Sequence, residues 1–138
     1  MFQINTVSDY NQFSPVIAMN ATGQFVVGWV SDHGVTINAA DTEKSIFARW
    51  YNASGVPLGS TEMLVNVYTK DAQEHPSVGI DSKGNFVFTW QSINQEMNVD
   101  GEGNSWGVYA RQFVVNTATG TITSPQTKEF RVNETTDG

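Results

Sequence analysis

The chain has 138 residues, of which 15% are charged, with a formal net charge of −7 and no cysteine. That length holds one compact domain or two small repeated units. The acidic balance excludes a nucleic-acid partner, which would need clustered Lys and Arg, and the missing cysteines exclude a disulfide framework, a thiolate zinc site and a Cys nucleophile.

In chain order, Phe2-Gln3-Ile4-Asn5 already reads as a strand directly after Met1, so no signal peptide is expected, and if the parent is exported the chain reads as a mature or excised segment of it. Strands are next expected over 15–19, 25–31, 46–51 and 63–66, and then the same again. Phe25, Val27 and Trp29 take alternate positions, as do Phe86, Phe88 and Trp90, which is the period-2 signature of a half-buried strand. Asn20-Ala21-Thr22-Gly23, Asn52-Ala53-Ser54-Gly55 and Asp81-Ser82-Lys83-Gly84 share one turn form. There the Asn or Asp side chain can close onto its own backbone, and glycine accepts the left-handed conformation. Asn20, Asn52 and Asn133 also fit the N-glycosylation pattern, but a turn wants asparagine at the first two anyway. No apolar run approaches the roughly 18 residues of a membrane span. No stretch carries a capped 3.6-residue stripe, so helix is expected to be nearly absent.

Self-similarity is the strongest signal. The run from Ser14 to Ser31 lies over that from His75 to Ser92 without a gap, at an offset of 61 residues. Ile46-Phe47-Ala48-Arg49 lies over Val108-Tyr109-Ala110-Arg111 at an offset of 62. A third element occurs three times, as Phe2-Gln3-Ile4-Asn5, Met63-Leu64-Val65-Asn66 and Phe130-Arg131-Val132-Asn133. The chain divides into one repeat over 1–62, a second over 63–129, and over 130–138 the first strand of a third repeat or an exchange strand. The fold expected is all-β: two four-stranded antiparallel repeats stacked as propeller-like blades, with a β-sandwich of one sheet per repeat as the alternative.

The recurring Phe130-Arg131-Val132-Asn133 element, the Pro15-to-Ser31 strand pair and Ile46-Phe47-Ala48-Arg49 together resemble the tandem β-repeats of very large bacterial secreted and surface proteins. The resemblance covers nearly the whole chain. It implies a propeller-like architecture and an extracellular or cell-surface location, and it supplies no catalytic residues.

Four groups of residues could carry a site. Arg49 and Arg111 occupy equivalent positions, flanked on the same strand face by Phe47 and Tyr51, and by Tyr109 and Phe113. A guanidinium between rings can stack on them or hold a carboxylate or sugar. The structural reading pairs each arginine with a turn residue such as Asp81 or Asn20. Trp29 and Trp90 end alternating strands and belong to a core, whereas Trp50 and Trp106 have no tryptophan counterpart and are candidate stacking platforms for a ligand. Asp100, Glu102 and Asn104 alternate as oxygen donors, as a calcium loop begins, but Ser105 and Arg111 break the EF-hand pattern. A looser Ca²⁺ site and a plain polar insertion both stay open. His33 and His75 are unmatched between the repeats and form no triad, so an enzyme is not expected. Two functions remain. One is a structural module that self-associates through terminal strands, either as a homo-oligomer or with neighbouring repeats of a longer chain, giving a ring or a filament. The other is an adhesion module for carbohydrate or a surface polymer.

Overall fold

In the computed structural model residues 1–32, 43–95 and 105–134 are described. They form strands β1 (Gln12–Met19), β2 (Phe25–Ser31), β3 (Ser45–Tyr51), β4 (Met63–Leu64), β5 (Gln73–Ile80), β6 (Phe86–Ile93), β7 (Trp106–Asn116), β8 (Thr121–Thr123) and β9 (Phe130–Arg131), with no helix among the described residues. The strands make two antiparallel sheets, β1-β2-β3-β4 and β5-β6-β7-β8, and β9 also pairs with β7. The all-β, two-sheet expectation holds; among the described residues the strands close into neither a propeller nor a barrel.

The local chemistry explains the hairpins. In the β1–β2 turn the Asn20 side chain accepts from the Thr22 and Gln24 amides, and in the β5–β6 turn Asp81 accepts from those of Lys83 and Asn85. The Asn85 side-chain amide, with these backbone donors, holds the Asp81 carboxyl below the usual carboxylate range. Both turns end on a left-handed glycine, Gly23 at φ +83° and Gly84 at φ +89°. Each first strand also carries the same bulge, with positive φ at Ser14 and at His75 just before Pro15 and Pro76. A proline donates no amide, so a break in the ladder is where it fits.

Two expectations are corrected. Segment 2–5 forms no strand, because no third strand lies beside it within the described residues. The strand Met63–Leu64 pairs with β3 at Phe47 and Ala48, so the first sheet extends past the 1–62 division to take in the element assigned to 63–129. The second sheet likewise closes on β9, which pairs with Tyr109 and Ala110 of β7. Its added β7–β8 hairpin has only a bridge, Tyr51 to Pro57, as its counterpart in the first copy.

The sheets pack face to face, with β5 running against β1, β2 and β3. The first sheet contributes Val26, Val30, Ile46, Ala48 and Trp50 to the core, and the second Phe86, Phe88, Trp90, Tyr109 and Phe113. Copies of one sequence pattern thus present opposite faces to the shared core. A smaller cluster of Val27, Trp29 and Tyr51, with Ile4, Phe25 and Phe47 packed against it, covers the far face of the first sheet. Strand β2 is therefore buried on both faces, while β6 alternates buried and exposed.

Gly84 sits at the sheet–sheet contact: a Cβ there would lie 2.8 Å from Gln24 Oε1 and 3.2 Å from Trp50 Cζ2. A Cβ on Gly23 would meet only Ala53, with its Cβ at 3.2 Å. Gly23→Ala is expected to cost about 1 kcal/mol from left-handed strain. Gly84→Ala is expected to cost more, and urea denaturation of the two variants measures the difference. Equal midpoints would mean that Trp50 does not pack on that turn.

Candidate functional site

The junction between the sheets is built from elements that occur twice. On the second sheet, Arg111 projects from β7 and donates through Nη1 to the Val65 carbonyl at 2.9 Å, with its guanidinium 5.1 Å from the centre of the Phe113 ring. Burial lowers its pKa from the usual guanidinium value. The chain just beyond, at Val67 and Tyr68, donates two backbone amides to the Glu129 carboxylate at 3.0 and 2.8 Å. Arginine and glutamate together clamp residues 65–68 onto the second sheet.

The first sheet carries the same clamp. Arg49 donates through Nη1 to the Ile4 carbonyl at 3.1 Å and lies 5.9 Å from the centre of the Tyr51 ring. Glu62 accepts the Thr6 amide at 3.0 Å. Segment 2–7 therefore lies on the first sheet as 63–68 lies on the second. The expected partners of the arginines are corrected: both hold backbone carbonyls, while Asn20 and Asp81 meet each other, Asn20 Nδ2 donating to the Asp81 carbonyl at 3.0 Å. The glutamates escaped sequence reasoning. The available signal was that Glu62 and Glu129 each stand immediately before a copy of the recurring four-residue element.

The copies differ in two ways: Glu62 takes one amide where Glu129 takes two, and a Trp–Gln pair beside the clamp is bonded in one sheet alone. Trp90 donates its indole N–H to Gln73 Oε1 at 3.1 Å, within the core. The equivalent atoms, Trp29 Nε1 and Gln12 Oε1, are buried and have no hydrogen-bond partner. Gln12 still makes the same local contact as Gln73, each amide donating to the carbonyl three residues earlier, Asp9 and Lys70. A buried donor and a buried acceptor left unpaired each cost free energy. At this pair the first sheet is the less completely satisfied of the two.

The remaining candidates separate. Trp50 is 1% exposed and donates Nε1 to the Gly84 carbonyl at 3.0 Å, so it is corrected from a ligand platform to a bolt between the sheets. Trp106 is 42% exposed, on the outer face of the second sheet. Asp100, Glu102, Asn104 and His33 lie outside the described residues, and among the described residues no cluster of three or more His, Asp or Glu could hold a metal ion. His75 sits exposed in the β5 bulge beside Glu74.

The outer face of the second sheet is the open one. Val87, Trp106, Val108 and Val114 are exposed along it, and a groove of about 520 Å³ runs over Gly79, Val87, Gln112, Val114 and Pro125. Its counterpart on the first sheet packs against the second sheet, with Val26 and Trp50 fully buried. Compared with protein-family models, curated proteins and solved structures, the chain gives no match.

Proposed function

We propose that the chain is a structural repeat module of an extracellular or cell-surface protein, which docks head to tail with like repeats and works by docking rather than by catalysis. Each sheet then acts as one blade-like unit in a ring or filament. The observation that carries this reading is the duplicated clamp: segment 2–7 sits on the first sheet by the contacts that 63–68 makes on the second.

Size complementarity supports it. Inside the molecule, Phe88 packs its ring onto Gly28, where a Cβ would come within 2.3 Å of the ring. The repeat offset places Thr89 at the position of Gly28 and Val27 at that of Phe88. Stacking the outer face of one copy on the first sheet of the next therefore sets a larger Thr against a smaller Val. The inner ion pair of Lys44 with Glu74 is replaced, on the same offsets, by Trp106 facing Phe13. Such a heterologous contact closes into a ring or runs on as a filament, depending on its rotation.

The adhesion reading is left with Trp106 alone of its two tryptophans, on the face that stacking would use. Light scattering over a concentration range separates the readings. The mass of the full chain should rise with concentration, and Val87→Glu or Val114→Glu should return it to a monomer. Both positions are exposed, so stability should change by about 0.5 kcal/mol or less. A monomer at every concentration overturns the proposal.

A further inference from the structure

Resting on that reading, we propose that the clamp of Arg49 and Glu62 is an acceptor site for the terminal strand, residues 130–133, of a second copy, and that segment 2–5 occupies it in the single chain. Three copies of one element make the case. Met63-Leu64-Val65-Asn66 makes two sets of contacts. One is a ladder with β3, in which the Val65 amide donates to the Ile46 carbonyl at 2.8 Å and Asn66 Oδ1 accepts the Ile46 amide at 2.8 Å. The other is the clamp, with Arg111 on the Val65 carbonyl.

Each terminal copy makes half of this. Segment 130–133 has the ladder: the Val132 amide donates to the Val108 carbonyl at 2.7 Å, and Asn133 Oδ1 accepts the Val108 amide at 2.8 Å. Among the described residues no arginine meets its Val132 carbonyl. Segment 2–5 has the clamp, with Arg49 on the Ile4 carbonyl. Among the described residues it lacks the ladder, and Asn5 Oδ1 takes only the Gln3 side-chain amide at 3.4 Å. The halves are complementary, and a second copy that brings 130–133 into the Arg49 clamp completes both.

Burial agrees. Val65, with both halves, is 0% exposed, whereas Val132 is 52% exposed. The site is also incomplete where the incoming sheet would lie. A cavity of about 180 Å³ remains between Ile4, Phe13, Pro15, Val27 and Trp29, next to the unpaired Trp29 Nε1 and Gln12 Oε1. Segment 2–5 has the same residue types at its first and last positions as 130–133, and a β-branched residue at the third. It fits the clamp as a substitute, and without a ladder it is the copy that gives way.

Equivalent substitutions in the two copies should then act with opposite signs. Ile4→Asp weakens the resident segment and is expected to lower the assembly midpoint concentration about tenfold or more, the scale of one buried aliphatic contact. Val132→Asp weakens the incoming strand and should raise the midpoint by a similar factor. Circular dichroism checks that both variants are folded. In the unaltered chain, hydrogen exchange should show the Thr6 amide, held by Glu62, losing protection as assembly proceeds. If the chain assembles but both variants shift the midpoint the same way, or neither shifts it, or the Thr6 amide stays protected, the exchange site is wrong and head-to-tail docking survives. A chain that stays monomeric with or without Ile4→Asp overturns both.

Discussion

Trp50→Ala is expected to destabilise the chain by about 3–5 kcal/mol, against a total stability on the order of 5–15 kcal/mol for a domain. The side chain is fully buried on β3, within the core shared with Phe86, Phe88 and Trp90 of the other sheet. Its removal leaves an indole-sized cavity where β3 reaches the β5–β6 turn. It also strands the buried Gly84 carbonyl that accepts the indole N–H, a further contribution of about 1–3 kcal/mol where no water replaces the donor. Trp106→Ala provides the contrast. The side chain is half exposed on the open face, so in the monomer its loss should change stability by about 0.5 kcal/mol or less. Urea denaturation of both variants, with unchanged slope, measures the two effects. A near-neutral Trp50→Ala would remove Trp50 from the junction and restore it as a candidate ligand platform.

The second large effect is a coupling. Phe88→Val should cost several kcal/mol, because it empties part of a fully buried ring site; truncation of a buried Phe to Ala costs about 3–5 kcal/mol. Gly28→Thr should also destabilise, by about 1–3 kcal/mol, since its Cβ must enter the space that the Phe88 ring fills. The double variant installs the pair that the repeat offset carries at Thr89 and Val27. It should be more stable than the sum of the singles predicts by about 1–3 kcal/mol, the range seen for residues in direct contact. Additive losses in the denaturation cycle would show that the ring does not rest on Gly28, and the size argument for stacking would go with it.

Much of the fold was legible in the residues. Alternation at Phe25, Val27 and Trp29 and at Phe86, Phe88 and Trp90 placed the central strands, and the Asn20 and Asp81 turns placed the hairpins with their left-handed glycines. These signals are local: a pleated strand points alternate side chains to opposite faces, and a turn side chain reaches its own backbone within four residues. The repetition of Arg49 and Arg111 was legible too, and so was the packing of each over one aromatic neighbour, Tyr51 and Phe113. Their hydrogen-bond acceptors were not, because the carbonyls of Ile4 and Val65 lie 45 and 46 residues away.

What only the tertiary structure decided is which copy of each residue is inside. Val26 and Val87 occupy equivalent places in equivalent strands, yet one is fully buried and the other exposed. The same holds for Trp50 and Gln112, and it is why an unmatched tryptophan read as a surface platform. Burial belongs to what lies on a face, and the first sheet has the second packed against it while, among the described residues, the second has no further sheet on its outer side. The phase of the repeat was hidden for the same reason. Strand identity is written along the chain at 2–5, 63–66 and 130–133, but membership of a sheet depends on which third strand offers its edge, and β3 and β7 offer theirs only to the latter two.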